Sequence, residues 1–198
     1  VYLVPMVRLV KPVIFFMALF PFIWLLLKVF QNDLGPDPAQ ALSIETGEWT
    51  LRFLLLTLAI TPFRQIFKMV EIARLRRMIG LFAFFYASIH FLSWMAFILG
   101  FRWLAIAEEL VERPYITVGF LAYIILFLLG VTSTNSMVRR LGKNWKRLHK
   151  FVYAASILAI VHLLWILRTD VTEAVIYGVL LAILLGYRIF RKLKFNFA

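Results

Sequence analysis

The stretch MIGLFAFFYASIHFLSWMAFILGF, residues 78–101, decides how this chain folds. It contains no Asp, Glu, Lys or Arg, and His90 is its lone group that titrates near neutral pH. About 20 apolar residues in a helix span the ~30 Å hydrocarbon core of a bilayer, so the stretch predicts a membrane-crossing helix. Five further apolar runs have comparable length: residues 13–30, 49–67, 115–138, 148–167 and 174–190. With 63% hydrophobic residues and a mean hydropathy of +0.89, a soluble chain of 198 residues has nowhere to bury its apolar surface. Lipid removes that problem, provided every span satisfies its own backbone hydrogen bonds. The expected fold class is an all-α integral membrane protein, a six-transmembrane-helix bundle in one domain over residues 1–198.

Charge sets the expected orientation. The N-terminus, the loops near residues 68 and 145, and the C-terminal tail together hold 17 of the 22 Lys and Arg, and Glu71 as their lone acid. The opposite side holds the other nine acids and five bases, Lys28, Arg52, Arg102, Arg113 and Arg168. Cytoplasmic loops carry the excess of Lys and Arg, so both termini are expected to face the cytoplasm. The net charge of +12 is then an orientation signal rather than a nucleic-acid footprint. Cysteine is absent, which excludes disulfides, thiolate metal sites and iron–sulfur clusters. No cleavable signal peptide is evident at the start. No internal repeat, phosphate-binding loop or nucleophile elbow stands out.

Ionisable groups inside a membrane are costly and mark function. No Asp, Glu or Lys is expected near the middle of any span, which weakens a proton-pump or ion-coupled transport reading. The three histidines remain: His90, His149 and His162. His90 stands about 18 Å above Met78, and His162 about 20 Å above His149, at 1.5 Å per helical residue. If His149 marks the inner boundary, His90 and His162 share one height on two helices. Two imidazoles so placed suit a flat b-type haem held by an axial ligand on each side. Ala83 and Ala87 below His90, and Ala155 and Ala159 below His162, leave room for a porphyrin, and equally suit close helix packing. Trp94 and Phe97 are expected as an apolar wall above His90. The same two histidines also suit plain interhelical hydrogen bonding. His149, in KRLHKF at the water boundary, is turned about 140° from His162 on an ideal helix. No histidine on the third span lies at its level. The polar run Thr132–Ser136 suits a cofactor's anionic group or an ordinary helix end.

These residues carry a family resemblance. RLRRMIGLFAFFYASIH (74–90), RPYITVG (113–119) and TSTNSMVRRLGKNWKRLHKFVYAASILAIVHLLW (132–165) resemble the MsrQ (YedZ) family, as do GPDP (35–38) and ITPFRQ (60–65). That family provides the haem-binding membrane subunit of a periplasmic methionine sulfoxide reductase system and is related to ferric reductases and NADPH oxidases. The resemblance implies six helices, one b-type haem with the inner level open to a second, and His90, His149 and His162 as haem-iron ligands. It also implies a periplasmic molybdenum-cofactor (molybdopterin) reductase as electron acceptor, and the quinone pool or a cytosolic flavin reductase as donor. FMN is associated with the family as well. At the inner ligand position of the third helix, where NADPH oxidases carry a second histidine, this chain has Arg76.

The function expected is therefore transmembrane electron transfer, with no bond-making catalytic site. The spans leave no room for a nicotinamide- or FAD-binding domain, so the donor is expected to be another protein, a quinol or a bound flavin. The acceptor is expected to dock around Asp33, Asp37, Glu108, Glu109 and Glu112. Rival readings are a free-standing ferric or metal reductase and a non-redox scaffold with structural histidines.

Overall fold

A computed structural model describes residues 3–167 and 170–196, which are helical throughout with no strand among them. Arg168, counted above among the outer bases, lies outside the described residues. Nine α-helices follow in order: α1 Leu3–Phe30, α2 Pro38–Ile66, α3 Arg76–Ser93, α4 Trp103–Glu112, α5 Pro114–Val131, α6 Asn135–Leu141, α7 Lys143–Leu148, α8 Val152–Ile166 and α9 Thr172–Asn196. Short 3-10 segments, Val70–Leu75 and His149–Phe151, lead into α3 and α8, and a π-helical turn, Trp94–Ile98, extends α3. Five stretches are long and apolar enough to cross a membrane: Leu9–Phe30, Val70–Ile98, Pro114–Val131, Lys143–Ile166 and Thr172–Lys194.

The missing sixth is α2, and its difference is informative. At 29 residues it has the length, but it carries Glu45, Glu48 and Arg52 in its outer half. It can do so because it is protein-facing: Thr46, Leu51, Phe53, Leu54, Leu55 and Leu58 are buried. Lipid therefore selects little of its surface. α2 also starts eleven residues earlier than its apolar run suggests. Asp37 accepts a 3.0 Å bond from the Gln40 amide and Pro38 occupies the first turn, both standard helix-start chemistry. Most of the connection between the runs 13–30 and 49–67 is thus helix. Two other expectations change likewise. The fourth span stops at Val131 rather than Val138, and the third-to-fourth connection holds the unforeseen amphipathic helix α4, whose Leu104 and Val111 are exposed.

Aromatic packing holds the centre. Tyr86 of α3 is fully buried, with its ring stacked on Phe53 of α2 at 5.2 Å between centroids. Its hydroxyl enters the backbone ladder of α1. The Phe22 amide, which in an unbroken helix bonds the Ala18 carbonyl, donates to the Tyr86 oxygen at 3.0 Å, and the hydroxyl donates to Ala18 O at 2.9 Å. Pro21 has already opened this turn by removing one donor. A side-chain hydroxyl therefore clips α1 to the bundle. Tyr86→Phe is expected to destabilise the protein by about 1–3 kcal/mol, because a donor and an acceptor lose their partner away from water. Thermal unfolding in detergent measures this, and the loss should fall on α1 first, as increased hydrogen exchange at Phe22. Elsewhere, Gly130 admits α3 against α5: a Cβ there would lie 2.5 Å from the Phe84 ring.

Candidate functional site

His90 on α3 and His162 on α8 come together. Their ring centroids are 6.3 Å apart, with the planes at 79°. The matched heights expected from residue spacing are thus accompanied by matched helix faces, which spacing alone did not establish.

Each ring is held by the same device. His90 Nδ1 lies 2.8 Å from the Ser43 carbonyl on α2, and His162 Nδ1 lies 2.6 Å from the Tyr115 carbonyl on α5. A carbonyl can only accept, so both Nδ1 atoms carry the proton and both Nε2 atoms keep a lone pair. A glycine one turn further along the partner helix makes space. A Cβ on Gly47 would sit 3.2 Å from His90 Cε1 and Nδ1, and one on Gly119 only 2.6 Å from the same atoms of His162. Buried alanines line each histidine helix: Ala83 and Ala87 on α3, Ala155 on α8.

The two halves correspond in sequence, although no repeat was apparent there. In both, the carbonyl precedes its histidine by 47 residues. Both glycines precede their histidines at one common spacing, and AxxxAxxH appears in each histidine helix. The sequence reading does not single out Ser43, Gly47 and Gly119, nor Tyr115 as a support for His162. Comparing the residues upstream of the two histidines at equal offsets is the signal that finds them.

His149 stands apart. It lies where the 3-10 segment His149–Phe151 interrupts the run into α8, and it lines a cavity of ≈ 450 Å³ at the basic end of the bundle. Its ring stacks on Trp145 at 3.8 Å, its Nδ1 donates to Trp145 O at 3.1 Å, and its Nε2 meets Ser133 Oγ at 3.2 Å. Unlike the other two, this imidazole has a side chain beside its second nitrogen, the Ser133 hydroxyl, whose one proton goes either to Nε2 or to the Leu129 carbonyl 2.7 Å away.

The remaining polar residues of that end are occupied locally. Thr132 and Ser133 bond back to carbonyls of α5, Thr134 caps α6, and Asn135 accepts from Arg77 Nη1 at 2.6 Å. Of the expected apolar wall above His90, Trp94 is half-buried but Phe97 is 63% exposed and faces outward. The π-helical turn between them shifts the helix face, so the regular spacing fails there.

Among the described residues, no group of three or more His, Cys, Asp or Glu is gathered. A pair of imidazoles suits a metal whose other ligands come with it, as in a macrocycle.

Comparison with known proteins agrees with this architecture. Residues 46–160 match the family "Ferric reductase like transmembrane component". A protein of Xanthomonas euvesicatoria pv. vesicatoria, named protein-methionine-sulfoxide reductase heme-binding subunit MsrQ, is 45% identical, covering 86% of this chain and 80% of that relative. A Polaromonas naphthalenivorans protein of the same name is 42% identical, covering 90% of this chain and 83% of its own. The family match spans both histidine-bearing halves short of His162 itself, and the longer alignments cover most of the chain. The chain belongs to the MsrQ family, within the ferric-reductase-like transmembrane proteins.

Proposed function

We propose that the protein is the haem-carrying electron conduit of a periplasmic methionine sulfoxide reductase system, with His90 and His162 as the two axial ligands of one b-type haem. The observation that carries this reading is the 6.3 Å between the two ring centroids. Two metal–imidazole bonds of about 2 Å, with about 1 Å from each nitrogen to its ring centre, account for that distance. The fixed Nδ1–H tautomers leave Nε2 as the ligating atom on both sides. The relatives' name, which includes heme-binding, supports the cofactor.

When bound, haem supplies a one-electron iron couple, and two axial imidazoles leave it no open position for substrate. The chain's own part is to orient the rings and exclude water. Carbonyl acceptors on Nδ1 raise the basicity of both ligands. Phe53, Phe82, Ala83, Tyr86, Ala87 and Ala155 form one buried apolar cluster that includes residues of both histidine helices. His149 is the candidate ligand for a second, inner haem, which requires the Ser133 hydroxyl to turn away from Nε2.

In this reading α2 is the sixth crossing, residues 1–198 form one domain in the bacterial inner membrane, and both termini face the cytoplasm with the basic loops. Electrons enter at that face from a quinol, a flavin reductase or bound FMN. They leave at the acidic face to a periplasmic molybdopterin subunit. Of the five acids expected to dock the acceptor, Asp37 caps α2 and Glu109 pairs with Arg113 at 2.9 Å, which leaves Asp33, Glu108 and Glu112, all exposed.

An absorption spectrum of the purified protein tests the core of this reading. A low-spin b-type haem, reducible by dithionite and reoxidised by the periplasmic reductase, is the expected result. Colourless protein overturns it in favour of a scaffold. Haem that is reoxidised by ferric chelates but not by a methionine sulfoxide reductase assigns a metal reductase instead.

A further inference from the structure

We propose that Arg76 and Arg188 form an anion-binding clamp in the inner cavity, taking the carboxylates or phosphate of an amphiphile whose apolar body lies against Leu54, Leu58, Leu126 and Leu129. The two arginines come from distant parts of the chain, the start of α3 and the last helix. Their guanidinium groups meet on one hydroxyl: Arg76 Nη2 lies 2.6 Å and Arg188 Nη2 3.1 Å from Thr61 Oγ1. Both line the ≈ 450 Å³ cavity that also holds His149.

Arg188 is fixed there by a backbone vacancy. Pro62 has no N–H, so the Leu58 carbonyl one turn earlier on α2 lacks its helical donor. Arg188 Nη2 supplies it at 2.6 Å, and the guanidinium lies over the Tyr153 ring at 5.3 Å. With the bond to Thr61 Oγ1 and a 3.4 Å bond from Nη1 to the Leu184 carbonyl, that occupies three of the group's five donors. It does not account for the charge. The ion pairs among the described residues are Arg52–Glu48, Arg74–Glu71 and Arg113–Glu109, and none involves Arg76 or Arg188. Arg77, Lys146 and Lys150 line the same cavity, whose lining contains no carboxylate. Like charges brought together on one hydroxyl, Arg188 partly buried and Arg76 exposed, repel, and a bound anion offsets that repulsion. Arginine's planar fork suits carboxylate and phosphate alike. The leucines on the other walls select a ligand with an apolar body.

Two sources offer this chemistry: the propionates of a haem held by His149, and the headgroup of an anionic phospholipid. The first rests on the function proposed above; the second does not. The test compares full-length wild type with Arg76→Gln, Arg188→Gln, the charge-keeping Arg76→Lys and Arg188→Lys, and the exposed control Arg140→Gln. Arg76→Gln loses a bond to Thr61 Oγ1 and leaves every helix carbonyl satisfied, so it keeps the comparison open if Arg188→Gln does not fold. Each protein is purified in neutral detergent. Thermal unfolding is followed with added phosphatidylglycerol or phosphatidylcholine, alongside haem per chain and a spectroscopic redox titration. If the anion is a lipid, phosphatidylglycerol alone stabilises the wild type. Half-saturation then weakens about tenfold or more in both Gln variants, and recovers in the Lys variants. If the anion is a propionate pair, the Gln variants lose haem, or shift one redox component to lower potential, while the Arg140→Gln protein does not. Gln variants that match Arg140→Gln in lipid response, haem content and potential overturn the clamp. The low-spin spectrum due to His90 and His162 is read separately, so failure of the clamp leaves that assignment standing, and its failure leaves the lipid comparison intact.

Discussion

Replacing either His90 or His162 by Ala is expected to abolish the low-spin haem spectrum of the outer site. The two variants should be nearly indistinguishable, because one iron is held by both rings. The expectation follows from the paired geometry. With centroids 6.3 Å apart and each Nδ1 committed to a carbonyl, neither ring has a neighbour able to replace the other. His149, the remaining histidine, is held in the inner cavity by Trp145 and Ser133 and cannot substitute. Loss of one axial nitrogen leaves five-coordinate, high-spin iron or no haem at all. Haem quantitation with electron paramagnetic resonance separates these outcomes. A low-spin signal unchanged in both variants would remove the ligand assignment. His149→Ala should leave that outer signal in place.

Gly119→Ala is expected to be the most damaging single-methyl substitution in the bundle's outer half, and Gly47→Ala a mild one. The new methyl at 119 would lie 2.6 Å from His162 Cε1 and Nδ1, against 3.2 Å for the equivalent atoms of His90 at 47. The first is closer than any real contact, so the ring must move. Moving it breaks the 2.6 Å bond to Tyr115 O and turns Nε2 off its axis. Overpacking of this kind costs typically about 1–3 kcal/mol, and the lost ring anchor adds about 1 kcal/mol more. Gly119→Ala should therefore lower haem occupancy and shift the low-spin resonance, while Gly47→Ala keeps full haem with a small change in resonance position. Equal behaviour of the two variants would show that the ring contacts do not set the ligand geometry. The comparison also tests whether the two histidine supports, alike in sequence, are unequal in tolerance.

Much of the architecture was legible before any coordinates. The run 78–101 could only be a membrane-length helix, because its length and apolar composition leave no soluble alternative. The histidine heights were equally legible, since rise per residue is a property of the helix itself. Where the reading went astray, a single residue usually explains it. Asp37 and Pro38 start α2 inside what looked like a loop, because capping chemistry needs no hydrophobicity. The π-helical turn at Trp94–Ile98 rotates Phe97 outward, which a regular period does not show. Thr132 and Ser133 end α5 seven residues early by bonding back to its carbonyls.

Taken by itself, the sequence determined that the chain is a bundle of membrane-length helices with a basic and an acidic end, and that two imidazoles stand at one depth. Those are properties of single helices and of summed composition, and neither depends on a neighbour. Tertiary structure alone decided which faces meet. It turned His90 and His162 toward each other, tied each Nδ1 to a carbonyl from a different helix, kept His149 apart, and brought Arg188 to the carbonyl that Pro62 leaves open. Helix rotation and pairing are set by side chains far apart in the chain packing against one another. That information belongs to pairs of segments, and no local stretch of residues contains it.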